Sequence, residues 1–90
     1  MKIEFIGPLK RVAGISELEL TIDREKKLLD VLKMLPESVK ERILESSGKI
    51  SPEIIVLVND LEVRSLGLEN MYVKENDRIV LIPIIHGGGI

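Results

Sequence analysis

The sequence contains no cysteine and no tryptophan. Without thiols it can build no disulfide framework, no thiolate nucleophile and no soft-metal site. Aromatic side chains are nearly absent, with one phenylalanine and one tyrosine in 90 residues. Only Phe5 and Tyr72 could stack on a base. The 13 basic residues are dispersed among 15 acidic ones, giving a net charge of -2 and no basic run. Both features argue against a nucleic-acid partner. No apolar run approaches the roughly 20 residues of a membrane span, and Met1-Lys2-Ile3-Glu4 is not the opening of a signal peptide. These absences lead to the expectation of a soluble, cytoplasmic protein with neither nucleic acid nor membrane as partner.

What remains is aliphatic and charged. Hydrophobic residues make up 44% of the chain, so Leu, Ile and Val must fill the core. A chain of this length predicts one domain, which buries only about 60–65% of its unfolded surface. Lys2 to Ile6 alternates, Ile3 and Phe5 on one face and Lys2, Glu4 and Ile6 on the other, which predicts a strand. Gly7-Pro8 and Gly14 punctuate a loop. Glu17 to Ile22 alternates again, with Leu18, Leu20 and Ile22 inward, so an opening hairpin is expected.

The period changes after Asp23. Leu28, Val31, Leu32 and Leu35 follow helical spacing, with Asp23 as N-cap. Pro36 interrupts and opens a second short helix, where Val39 and Ile43 share a face and Gly48 supplies the stop. Ile54 to Val58 is continuously apolar and predicts a central strand. Asn59-Asp60 is a two-residue turn into a shorter strand, Leu61 to Val63. Ser65 to Asn76 reads as loop with one helical turn near Leu68, and Arg78 to Ile84 as the last strand. The order predicts an α+β domain over residues 1–85 and a flexible glycine-rich tail over residues 86–90.

Three features coincide: the opening hairpin, the helix behind a mixed sheet, and a last strand running straight into Gly87-Gly88. The chain resembles the ubiquitin-like β-grasp sulfur carriers, nearest the small subunit of molybdopterin synthase, with the thiamine-pathway carrier and archaeal ubiquitin-like modifiers as cousins. The resemblance is carried by Ile54-Ile55-Val56-Leu57-Val58-Asn59-Asp60, by Lys74 through Pro83, and by the tail Ile84-Ile85-His86-Gly87-Gly88. It implies a β-grasp fold with a mixed sheet and helices on one face. It implies no bound cofactor and no metal, and a carrier rather than an enzyme, its reactive group the carboxylate of a terminal glycine. A ubiquitin-activating-like adenylyltransferase would activate that carboxylate with ATP and Mg²⁺. The resulting thiocarboxylate would serve the large subunit of molybdopterin synthase in molybdenum cofactor synthesis. Glycine suits the role because a tail without side chains threads a narrow channel. From His86 to Gly88 it reaches at most about 10 Å at about 3.3–3.6 Å per residue.

Counting from Pro83, the resemblance places the reactive residue at Gly88, preceded by Gly87, with Gly89-Ile90 as an extension. Either a processing protease removes Gly89 and Ile90, or trimming stops after Gly89, or the extension stays and the tail is inert. A ubiquitin-like modifier that joins lysines through the same glycine is the alternative function, and a β-grasp interaction module with an inert tail is the rival from another class. His86-Gly87-Gly88-Gly89 also matches an esterase oxyanion motif, but the G-x-S-x-G elbow and a second histidine are missing. A lone histidine without cysteine assembles no zinc set.

The last strand is apolar on both faces. One-sided helix cover would therefore leave an exposed patch of Ile6, Leu57, Val80 and Ile82, with Ile3, Phe5 and Ile79 in the core. Such a patch marks a partner-binding surface. Glu17 and Glu19 alternate along an edge, where charge blocks strand addition.

Overall fold

The structure is a computed structural model that describes residues 1–84. The expected tail, the boundary at residue 85 and the glycines Gly87, Gly88 and Gly89 lie outside the described residues. The first strand, β1 (Lys2–Phe5), buries Ile3 and Phe5 as its alternation requires. The chain then forms a helix, α1 (Pro8–Ala13), where the sequence predicts a loop. Pro8 sits in the first turn, where a missing N–H costs nothing. Gly14 closes the helix at φ 78°, ψ 0°, its N–H donating to the Lys10 carbonyl, a left-handed cap that glycine adopts without strain. The two signals that read as turns are the start and stop of one short helix.

Strand β2 (Glu17–Glu19) pairs antiparallel with β1 and ends three residues earlier than expected. Leu20 N–H still reaches the Met1 carbonyl at 2.8 Å, but Ile22 N–H turns to the Glu75 carboxylate at 2.7 Å. Asp23 is not the helix cap. Lys26–Lys27 forms a short strand, β3, and α2 (Leu28–Leu32) begins only after it, with Lys27 in extended geometry as N-cap. Asp23 stays exposed beside Arg24. Leu28, Val31, Leu32 and Leu35 are buried as their spacing predicts. Pro36 opens α3 (Glu37–Ile43), which buries Val39 and Ile43 completely. Gly48 does not stop this helix. Leu44 is already extended and bridges Ile50, and Gly48 closes the turn between them with its N–H on the Glu45 carbonyl.

Strand β4 (Ile54–Val58) leads through Asn59 and Asp60, at φ 49° and 71°, into β5 (Leu61–Glu62). Positive φ at both turn residues gives the tight hairpin that Asn-Asp favours. Val63 lies just past β5, yet its N–H continues the ladder to Val56. Within the expected loop the chain adds β6 (Tyr72–Val73), which pairs with β3. The last strand, β7 (Arg78–Pro83), stops one residue short of the expected end.

The main sheet has the order β2-β1-β7-β4-β5. Strand β7 runs parallel to β1 and antiparallel to β4, so the sheet is mixed, as expected. Ile3, Phe5, Ile79, Leu81, Val56 and Val58 project from one face into the same cluster as Leu28, Val31, Leu32, Val39 and Ile43. Each of these buried apolar side chains contributes about 1.5–3 kcal/mol relative to exposure. Among the described residues no helix lies over the opposite face. A polar knot fastens the head of β7: Asp77 accepts from Asn59 Nδ2 (2.9 Å) and Lys74 N–H (2.8 Å), while Asn59 Oδ1 accepts from Arg78 N–H (3.0 Å).

Candidate functional site

Strand β7 builds both parts of the site, because its residues alternate between core and open face and its end is the root of the tail. Ile79 and Leu81 point into the core, while Arg78, Val80 and Ile82 share the open face. Register fixes their neighbours. Ile82 pairs with Ile55 and Val80 with Leu57 on β4, while Val80 also pairs with Glu4 on β1. Ile6 N–H donates to the Leu81 carbonyl at 3.1 Å, which extends the parallel ladder and sets Ile6 level with Ile82. The four residues expected to bind a partner, Ile6, Leu57, Val80 and Ile82, therefore lie together on one face.

They are not equally accessible. Ile6 is 38% exposed and Ile82 and Leu57 are half-buried, but Val80 is 6% exposed. The expectation of an exposed Val80 is corrected: a short side chain flanked on both sides by the longer Glu4 and Leu57 is roofed by them. Ile55 belongs to the patch and was missed. Its signal was present, since Ile55 and Leu57 stand two apart on one strand. Charged residues complete the face. Arg78 Nε meets Glu4 Oε1 at 3.0 Å, Arg78 Nη2 meets Asp60 Oδ1 at 3.9 Å, and Lys2 Nζ meets Glu17 Oε2 at 3.5 Å. These half-exposed pairs are worth little to stability. Glu17 and Glu19 do line an edge strand, β2, as expected.

The tail leaves from a fixed root. Pro83 is in register with Ile54, and Ile84 N–H donates to the Glu53 carbonyl at 2.8 Å. Beside it lies a small hollow of about 150 Å³, bordered by Pro8, Leu9, Val12 and Arg42. A larger one of about 470 Å³ lies between α2 and the loops at residues 45–52 and 64–70. Its lining offers neither hydroxyl nor thiol, and Arg64 in its wall is committed to the carbonyls of Ser51 (2.7 Å) and Pro52 (3.4 Å). Among the described residues no group of three or more His, Cys, Asp or Glu could hold a metal ion, and no helix is long and apolar enough to cross a membrane. Glu62 bends back onto its own turn, accepting from Arg64 N–H at 2.8 Å and from the Ser65 hydroxyl and N–H. The Ser65 hydroxyl, more than the two backbone donors, holds the Glu62 carboxyl below its ordinary value.

Among the described residues, a five-stranded mixed sheet with helices on one face and β7 at its centre is an architecture shared with known proteins. The family described as Urm1 (ubiquitin related modifier) matches residues 1–88. The chain belongs to the Urm1 family. It is 35% identical over 81 residues to a candidate sulfur carrier protein of Archaeoglobus fulgidus, covering 84% of this chain and 91% of that protein. The crystal structure of Urm1 from Sulfolobus solfataricus superposes with a TM-score of 0.74 at 30% identity, covering 93% of this chain and all of that one (100%). SAMP1 from Haloferax volcanii superposes with a TM-score of 0.83 over 98% of both chains, and at 21% identity it speaks for the fold alone. The fold is thus the ubiquitin-like β-grasp that the sequence led one to expect. The match names the Urm1 family within the wider group of β-grasp carriers, where the sequence pointed first to the synthase small subunit. This Urm1-family chain is a ubiquitin-like sulfur carrier or modifier.

Proposed function

We propose that this chain is a sulfur carrier that works through the carboxylate of Gly88. The observation that supports this best is that the family match runs through the whole fold and stops at Gly88, leaving Gly89 and Ile90 beyond it. A processing protease removes those two residues. A partner adenylyltransferase then uses ATP and Mg²⁺: a Gly88 carboxylate oxygen attacks the α-phosphorus, pyrophosphate leaves, and the acyl carbon becomes electrophilic. A hydrosulfide-level donor attacks that carbon, AMP departs, and a thiocarboxylate remains. Gly87 and Gly88 have no side chains to obstruct the channel, and an Ile90 left in place would block it. The open face around Ile6, Ile55, Leu57 and Ile82 is the surface on which partners dock.

The family description favours a second reading, a modifier in which a lysine amine of another protein attacks the same acyl-adenylate to give an isopeptide bond. Transfer of sulfur to a pterin precursor in a molybdopterin synthase large subunit is the finer form of the first reading. Intact mass spectrometry on the chain isolated from its own cells tests both. Termination at Gly88, with a fraction carrying sulfur in place of one carboxylate oxygen, is the carrier's expected result. Conjugates on lysines without any sulfur-bearing species would turn the assignment to the modifier. Uniform retention of Ile90 would refute both.

A further inference from the structure

The open face is polarised along its strands. Nearest the tail, Ile6, Ile82 and Ile55 form a wholly apolar row across three strands. Two residues back, Val80 and Leu57 are flanked by Glu4 and Glu17 on one side and Glu62 on the other. Two residues further back, Arg78 stands beside Lys2 and Glu19, with Asp60 at the adjoining turn. From Ile82 to Arg78 is four residues, about 13 Å at about 3.3 Å each. In the two charged rows carboxylates outnumber cations, and the cations are already engaged: Lys2 by Glu17, Arg78 by Glu4 and Asp60. Glu19 makes no ion pair among the described residues. Protection of the β2 edge accounts for Glu17 and Glu19, but not for Glu4, Asp60 and Glu62 on the inner and far strands.

We infer that this face selects a partner with a basic surface, and that the order of its rows orients that partner on the tail. The inference rests on the carrier reading above, which makes the partner the activating adenylyltransferase. That enzyme presents an aliphatic or aromatic knob beside its tail channel, to cover the row of isoleucines, and arginines or lysines about 13 Å away along β7. Reversed docking would lay the basic cluster on isoleucine and the knob on carboxylates, so the tail enters the channel in one orientation. A second copy of this chain is a poorer occupant, because it brings the same excess of carboxylates to the contact. Charge of this kind acts on encounter more than on lifetime, which gives it a kinetic signature.

The test uses the full chain, trimmed to Gly88, and the adenylyltransferase purified from the same cells. ATP–pyrophosphate exchange is measured first, and association rates are then followed by stopped flow across a salt series. The native chain should associate more slowly as salt rises. The variant Glu17→Lys/Glu19→Lys should lose at least tenfold in association rate at low salt and flatten the salt slope. Far-UV circular dichroism reports whether it is folded. Ile82→Asp should instead speed dissociation with the salt slope retained. A native association rate indifferent to salt, or an unchanged Glu17→Lys/Glu19→Lys rate, overturns the inference while exchange leaves the carrier reading standing. No exchange with the native chain overturns both. A dimer of the chain alone in sedimentation, lost in Ile82→Asp, assigns the face to a second copy and refutes the proposal.

Discussion

Asp77 offers the sharpest test of how the sheet is fastened. Its carboxylate is nearly buried and accepts two bonds, from Asn59 Nδ2 at 2.9 Å and from Lys74 N–H at 2.8 Å. Hydrogen bonds to a charged acceptor contribute about 1.5–3 kcal/mol each. Asn59 and Lys74 are exposed, so water can partly replace what they lose, and the lower end of the range applies. Asp77→Ala should therefore destabilise the domain by about 3 kcal/mol. At about 4–8 °C per kcal/mol for a domain of this size, its Tm should fall by roughly 12–24 °C. Urea titration followed by far-UV circular dichroism reads the loss as a lower midpoint at unchanged slope. Asp77→Asn keeps one acceptor and should retain about half of the stability at stake. A double-mutant cycle with Asn59→Ala should give a coupling of at least about 0.5 kcal/mol, as residues in direct contact do. A loss below about 0.5 kcal/mol for Asp77→Ala, or a coupling of zero, would refute the claim that this knot fastens the head of β7 to the Asn59-Asp60 turn.

Gly14→Ala should cost about 1–2 kcal/mol from backbone strain alone, because φ is 78° and no heavy atom lies within 4 Å of the added methyl. A urea midpoint equal to the native one would sink that account of the α1 cap. Glu62 gives a pH prediction. Its folded pKa is lowered, so its contribution is present above the ordinary value of 4.5 and is lost as pH falls through the depressed one. Amide exchange at Arg64 and Ser65 should accelerate over that acidic window, and Ser65→Ala should move the onset back toward the ordinary glutamate range. An onset unmoved by Ser65→Ala would show that the hydroxyl is not the cause.

The core was legible because period and burial coincide. Ile3 and Phe5, Leu28 and Val31, Val39 and Ile43 all follow the simple spacing of their elements, and each is buried. The resemblance implied helices on one face only, and β7, apolar on both faces, then implied an apolar patch on the other. Local signals misled where tertiary contacts decide. Asp23 is a good N-cap by type, but pairing of Lys26–Lys27 with Tyr72–Val73 delays the helix by one short strand. A two-residue strand whose partner lies far along the chain leaves no period to read. Gly7-Pro8 and Gly14 carry the same residues whether they bracket a loop or a helix of six residues, and only the packing of Leu9 distinguishes the two. At the site, alternation placed Ile6, Leu57, Val80 and Ile82 on one face, but the roof over Val80 depends on which residues stand opposite it, and that register is not written in β7.

The tail is continuous with the central strand, and this has a mechanical consequence. Strand β7 is bonded on both sides, parallel to β1 and antiparallel to β4, with Ile84 adding one more bond to Glu53 beyond the strand's end. A force applied at Ile84 along the axis of β7 loads both ladders in shear, so many bonds must yield together and none can be peeled in turn. The buried Ile79 and Leu81 would have to move with them. On the carrier reading proposed above, a partner that grips the glycines gains no slack from the fold, and the length it can draw into its channel is set by the residues after Ile84. Pulled harder on that reading, the domain acts as a stopper at the channel mouth.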